Sequence, residues 1–159
     1  MEVSVVIPNY NGIAFLDSVL ASLEGQTLKN FEVIFVDNGS SDGSCSFVAG
    51  NYPWVHIIEL PENYGFCKAV NEGIKASRAP YVLLLNNDTA IINPNCLEEL
   101  LGYCMRSDVG AVGARLYYED DTIQHAGVVI GFGGIAGHCF VLQPRGTTGY
   151  CHRIICAQD

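Results

Sequence analysis

At 159 residues the chain is long enough for one domain with a real core and too short for two ordinary ones. Apolar residues make up 49% and charged ones only 16%, which excludes an intrinsically disordered chain. Against 17 Asp and Glu stand 8 Lys and Arg, and a net charge of −9 with no basic cluster excludes nucleic acid and anionic lipid as general partners. An anionic substrate must instead be met by a few placed groups or by a bound cation.

In chain order, VSVVIP (Val3 to Pro8) is an apolar run without alternation, as expected of a strand covered on both faces. Phe15, Leu16, Val19, Leu20 and Leu23 then recur at helical spacing. FEVIFVD (Phe31 to Asp37) is the second predicted strand, followed by the polar turn NGSSDGS and a short helix. VHIIEL (Val55 to Leu60) is the third, and KAVNEGIKAS after it reads as helix. YVLLL (Tyr81 to Leu85) is the fourth strand. NPNCLEELLGYCMRS supplies another helix, with Asn93 as cap and Pro94 at its first position. VGAVGARLYY, from Val109, begins a fifth strand, and YYEDDT behind it reads as a hairpin tip.

This β-α-β-α order predicts an α/β fold: a Rossmann-like, mostly parallel sheet with helices on both faces, in a single domain over residues 1–159. Ligands of such sheets bind beyond the carboxyl ends of the strands, where strand order switches. PNYNG, DNGSSDG, PENYGF and NNDT should therefore lie along one edge. From about Tyr118 the alternation fails and Gly becomes frequent. AGVVIGFGGIAGHCFVL (Ala126 to Leu142) is apolar, but it is shorter than the roughly 20 residues of a membrane span and fits a strand followed by a glycine-rich loop better. The chain stops on CHRIICAQD, an expected strand with no closing helix, so a domain cut short is expected.

The seven Cys are odd in number and form no C-x-x-C pair. With no signal peptide before the first strand, they read as reduced thiols of a cytosolic protein. Cys151, His152 and Cys156 lack a fourth zinc ligand at suitable spacing, so ordinary thiols are the preferred reading there.

The first-strand loop lacks the G-x-G-x-x-G that cradles phosphates in dinucleotide folds. Pro8, Asn9, Tyr10 and Asn11 offer a rigid bend, an aromatic face and amide donors, which suit a base or a ribose. Asp37, ending the second strand, can accept hydrogen bonds from a base N–H or ribose hydroxyls. Asp42 is either a second contact or a cap for the helix at Ser44. Asn86, Asn87 and Asp88 read as a metal and phosphate station: a hard cation, Mn2+ or Mg2+, wants oxygen ligands, and Asp88 supplies the anionic one.

In the order VVIPNYNG, VIFVDNGSSDGS, ENYGFCKAVNEGI, YVLLLNNDT, the chain resembles the nucleotide-binding half of family-2 glycosyltransferases over residues 3–142, closest to bacterial rhamnosyltransferase-like members. The resemblance implies a GT-A nucleotide-sugar-binding fold. It matches Pro8 and Asn11 to the first-strand motif and Asp37 to the acid that binds the base. Asn63, Gly65 and Asn71 match the pattern that lines nucleotide and sugar, Asn87 is a further nucleotide-sugar contact, and Asp88 matches the metal-binding acid of Asp-x-Asp. Asn86 stands where that motif has its first Asp. IQHAG and GGIAGH, carrying His125 and His138, resemble a segment of the same bacterial relatives, where a structural role and a sugar or metal contact are both open.

The resemblance further implies metal-dependent transfer of a hexosyl or rhamnosyl group, with inversion, from a UDP, dTDP or GDP sugar to a glycan or lipid-linked acceptor of the cell surface. It implies a cytoplasmic enzyme, peripheral at the inner face of the membrane. Such enzymes need an Asp or Glu general base. Glu119, Asp120, Asp121 and Asp159 lie in no such motif, so the base is expected beyond Asp159 and the fragment alone is expected to bind rather than transfer. The alternatives are a non-catalytic nucleotide-binding module and a sugar-nucleotide pyrophosphorylase. The latter should carry a glycine-rich, basic loop where this chain has PNYNG.

Overall fold

The computed structural model describes residues 1–131, 134–149 and 152. The chain divides into two compact units, Met1–Val109 and Gly110–Asp159.

The first unit alternates strand and helix: β1 (Val3–Asn9), α1 (Ile13–Glu24), β2 (Phe31–Asp37), α2 (Ser44–Asn51), β3 (His56–Glu59), α3 (Phe66–Ala76), β4 (Tyr81–Leu84) and α4 (Cys96–Cys104). All strand pairs are parallel, in the order β3-β2-β1-β4. Helices cover both faces, as the unbroken apolar runs of β1 and β2 require. Val3, Val5, Ile7, Val33 and Phe35 share one buried cluster with Leu16, Val19, Leu20 and Leu23 of α1, Val48 of α2, and Leu97 and Leu101 of α4. Val6, Ile34 and Val36, the alternate residues, pack with Ala69 of α3 on the other face. Gly73 lets α3 approach closely, since a Cβ there would lie 3.0 Å from Val36 Cγ2 and nearer still to Val6.

The register fixes what meets at the carboxyl edge. Asn9 lies opposite Asp37, and Asp37 opposite Glu59. The direction of winding reverses between β1 and β4, so the switch point falls beside Asn9.

Three expectations need correction. The fifth strand does not join this sheet: only Leu116–Tyr117 (β5) is extended, and it pairs antiparallel with β6 (Ile123–His125) in the second unit. α4 begins at Cys96, not at Pro94, and Asn93 does not cap it. The buried Gln26 does instead: its Oε1 accepts the Leu97 N–H at 3.1 Å while its Nε2 donates to the Asn93 carbonyl at 3.1 Å. The stretch from Ala126 opens with the expected strand, β7 (Val128–Ile130), but the Gly-rich part after it is not loop throughout, because β8 (Ala136–His138) pairs antiparallel with β7. The YYEDDT hairpin tip is present, with Asp120 Oδ1 accepting the Thr122 N–H at 3.0 Å and Asp121 at φ 63°.

Among the described residues no helix is long and apolar enough to cross a membrane. Cys151, Cys156 and Asp159, named in the sequence reading, lie outside the described residues.

Candidate functional site

The polar groups gather at the carboxyl ends of β1, β2 and β4. Asn9, at 2% exposure, donates from Nδ2 to Asp37 Oδ1 at 2.9 Å and to Ser40 Oγ at 3.2 Å. Its Oδ1 accepts from Asn87 Nδ2 at 2.7 Å. Asp37 is itself buried, and its second oxygen accepts the Ser40 N–H at 2.8 Å. Each carboxylate oxygen keeps acceptor capacity beyond that single bond. Asn11 sits at φ 50°, a left-handed conformation that Asn tolerates. Its N–H donates to Ser40 Oγ at 2.8 Å and its Oδ1 accepts the Ser41 N–H at 2.9 Å, so the loops after β1 and β2 are stitched together. Pro8 lies within β1, one residue before this cluster.

A second stitch joins β2 to β3. Asn38 donates from Nδ2 to Asn63 Oδ1 at 2.8 Å and to the Gly65 carbonyl at 3.3 Å, and its Oδ1 accepts the Tyr64 N–H at 3.0 Å. Asn63 Oδ1 also takes the Gly65 N–H at 2.9 Å. Gly65, at φ 84° and ψ 165°, turns the chain into α3 through a region of backbone space that only glycine visits freely. Lys68 Nζ lies 3.4 Å from the centre of the Tyr64 ring. Asn71 is exposed on α3, and its side chain has no protein partner among the described residues.

Asp42 caps rather than waits for a ligand. It accepts the Ser44 N–H at 3.0 Å, the Ser44 hydroxyl at 2.6 Å and the Ile13 N–H at 2.9 Å, so one carboxylate serves the starts of both α2 and α1. Burial opposes its charge, but these hydrogen bonds outweigh it and hold the carboxyl below its usual range. Cys45, beside Asp37, is pushed the other way. Burial first, then the charge of Asp37, raises its thiol to about 12.

After β4, the Thr89 N–H returns to the Asn86 carbonyl at 3.3 Å, making a turn that presents Asn87 and Asp88. Asp88 is exposed, and its carboxylate has no protein partner among the described residues. One unengaged carboxylate in a turn next to Asn86 and Asn87 fits a hard divalent cation that takes a single acidic ligand and completes its shell from phosphate and water. Among the described residues no three His, Cys, Asp or Glu side chains converge as a ready-made metal cage.

In the second unit the hairpins bring His125 and His138 together, Nδ1 to Nδ1 at 2.8 Å, with the rings edge to face. Burial, and then the neighbouring His138, lower the pKa of His125. The two residues singled out in separate motifs are thus one pair.

Asn38, Ser40 and Gly12 escaped the sequence reading. Asn38 and Ser40 lie in DNGSSDG, whose Asp-Asn-Gly-Ser run signals a turn but not which residues it will grip. A Cβ on Gly12 would sit 2.5 Å from Asn9 Oδ1 and closer still to Asn87 Nδ2. The Asn-Gly pair was legible as a turn, not as space for another loop.

Residues 4–135 match the family model described as Glycosyl transferase family 2. The chain is 37% identical to the protein y4gI of Sinorhizobium fredii, over 99% of its own length and 18% of the relative's. It is 34% identical to the O-antigen biosynthesis protein RfbC of Myxococcus xanthus, over 91% of this chain and 12% of that one. It therefore spans less than a fifth of the length of either relative. Among solved structures, S. aureus TarS in complex with UDP is 28% identical with a TM-score of 0.60, covering 65% of this chain and 32% of TarS. The mannosyltransferase PcManGT of Pyrobaculum calidifontis, in complex with GDP-Man and Mn2+, has a TM-score of 0.68 at 24% identity, covering 76% of this chain and 36% of that one, a likeness of fold.

Proposed function

Because the chain belongs to glycosyl transferase family 2, we propose that it holds the donor of a metal-dependent glycosyltransferase that moves a hexosyl or rhamnosyl group onto a cell-surface glycan or lipid-linked acceptor. The observation that carries this reading is the hydrogen-bonded string from Asp37 through Asn9 to Asn87, which runs across the strand-order switch and ends beside the unengaged Asp88. In this assignment Asp37, Asn11 and the Asn63–Gly65 loop bind the nucleoside, Pro8 shapes that loop, and Asn71 and Asn87 reach toward the sugar and phosphates. Asp88 holds Mn2+ or Mg2+. Bound there, the cation would neutralise charge on the departing diphosphate. The chain's own groups orient the donor so that an acceptor hydroxyl meets the anomeric carbon opposite the diphosphate; its oxygen would bond to that carbon as the bond to the diphosphate breaks, with inversion, while an Asp or Glu base of the enzyme takes the hydroxyl proton.

The 28% identity to TarS, solved with UDP and with UDP-GlcNAc, supports a nucleotide-sugar donor. The relationship to RfbC, an O-antigen biosynthesis protein, supports a bacterial surface polysaccharide as product.

Thermal unfolding with UDP, dTDP or GDP, each with Mn2+ and then with EDTA, tests the reading. Ligand at about a hundredfold over its dissociation constant stabilises the fold by about 2.7 kcal/mol. The expected result is a metal-dependent shift with one nucleotide that disappears in Asp88→Ala. The absence of a shift with all three nucleotides overturns the assignment of a donor site to this chain.

A further inference from the structure

Asn9 has both ends of its amide engaged, and the two ends are not interchangeable. A carboxylate only accepts hydrogen bonds, so Asp37 dictates that the Asn9 amino group faces it, at 2.9 Å. That leaves the Asn9 carbonyl toward Asn87, which must offer its own amino group, at 2.7 Å. Asn87 Oδ1 is then the end with no protein partner among the described residues. It is adjacent in sequence to the Asp88 carboxylate, which has none either. Gly12 leaves room for both amides, since a Cβ there would lie 2.5 Å from Asn9 Oδ1.

We propose that Asn9 is a positioning residue for the cation of this site: it transmits the polarity of the Asp37 carboxylate to Asn87, and so holds Asn87 Oδ1 as a neutral oxygen ligand alongside Asp88. The inference rests on the donor-site reading above. Hard divalent cations accept amide oxygens together with carboxylates. A second oxygen at position 87 also answers the Asn at position 86. Groups that orient a metal ligand without touching the metal are typically worth about 10- to 100-fold in affinity.

The test is Mn2+ binding to the chain with UDP, read from the EPR signal of free Mn2+, for wild type, Asn9→Leu, Asn87→Ala, Asn87→Asp and the Asn9→Leu/Asn87→Asp pair. Asn9→Leu and Asn87→Ala are each expected to weaken Mn2+ binding about tenfold or more. A carboxylate at 87 has an oxygen at either end and needs no orienting, so Asn9→Leu should cost nothing in the Asn87→Asp background. A purely structural role for Asn9 would cost the same in both backgrounds, and that result overturns the proposal. Should Asn9→Leu not fold, Asn87→Ala leaves the Asp37–Asn9 bond intact and decides alone: wild-type Mn2+ affinity in that variant overturns the proposal. Asp88→Ala separates the two levels. Wild type that takes up no Mn2+, or Asp88→Ala that takes up as much, defeats the donor-site reading and this inference with it. Loss in Asp88→Ala but not in Asn87→Ala defeats this inference alone.

Discussion

Asn38 Nδ2 lies 2.8 Å from Asn63 Oδ1, and the Asn38 Oδ1 takes the N–H of the next residue, Tyr64, at 3.0 Å. A single amide, 4% exposed, therefore holds the loop after β3 against the end of β2. Asn38→Ala removes its three bonds to Asn63, Gly65 and Tyr64, leaving the Tyr64 N–H without this acceptor, and is expected to cost about 1–3 kcal/mol in urea unfolding. Because the freed loop carries Asn63 and Gly65, nucleotide affinity should fall in parallel, with metal affinity in the absence of nucleotide unchanged. Unaltered nucleotide binding in a destabilised variant would separate this loop from the donor.

Gly12 makes a similar prediction for a different reason. Its added Cβ would fall on the Asn9–Asn87 bond, between two side chains fixed by their neighbours. Overpacking of this kind costs about 1–3 kcal/mol. Gly12→Ala should lower the melting temperature and reduce the metal-dependent part of the nucleotide shift more than the metal-independent part. An equal loss of both parts would mean that the substitution disturbs the whole edge rather than this bond.

Far from the site, Glu32 accepts the buried Ser4 hydroxyl at 2.7 Å, the Arg78 N–H at 3.0 Å and the Arg78 guanidinium at 2.6 Å. Burial alone would raise its pKa, but the Ser4 and Arg78 bonds prevail and lower it from 4.5. A depressed carboxyl contributes stability that is fully present above its unfolded value and is lost as pH falls through the folded one. Wild type should therefore lose stability below pH 4.5 more steeply than Glu32→Gln. At neutral pH the variant should be less stable by about 1 kcal/mol, since Arg78 is 68% exposed and solvent screens much of the pair. Parallel acid limbs for the two proteins would refute the assignment.

How much of this was legible in the sequence depends on how local the cause is. β1 and β2 were plain because strands buried on both faces need no partner to announce them, and α1 because its apolar residues recur at helical spacing. Asp37 and Asp88 were legible by position, since every parallel strand delivers its following loop to the same edge. The bonds between those loops were not. Asn9, Asn38 and Ser40 look like any polar turn residues until the register sets Asn9 opposite Asp37. The VGAVGARLYY run misled because β-rich composition does not name a partner, and its extended part pairs locally with Ile123–His125 instead of with the parallel sheet. His125 and His138 stood in separate motifs, and only the pairing of β7 with β8 turns the chain back to join them.

Cys45 offers a probe of the Asp37 charge that needs no ligand. Its thiol is raised to about 12, by burial first and by the Asp37 carboxylate next. The thiolate is the reactive form, so at pH 8 roughly one Cys45 in 10,000 would be able to attack an alkylating agent. Cys67, exposed in the first turn of α3, has no such shelter. Iodoacetamide at pH 8, followed by peptide mass spectrometry, should therefore label Cys67 well before Cys45. Asp37→Asn removes the negative charge facing the thiol while keeping its side-chain volume, and should speed Cys45 labelling with little change at Cys67. Equal labelling rates in the wild type would mean that neither burial nor this carboxylate shelters Cys45. A slow Cys45 indifferent to Asp37→Asn would assign its inertness to burial alone.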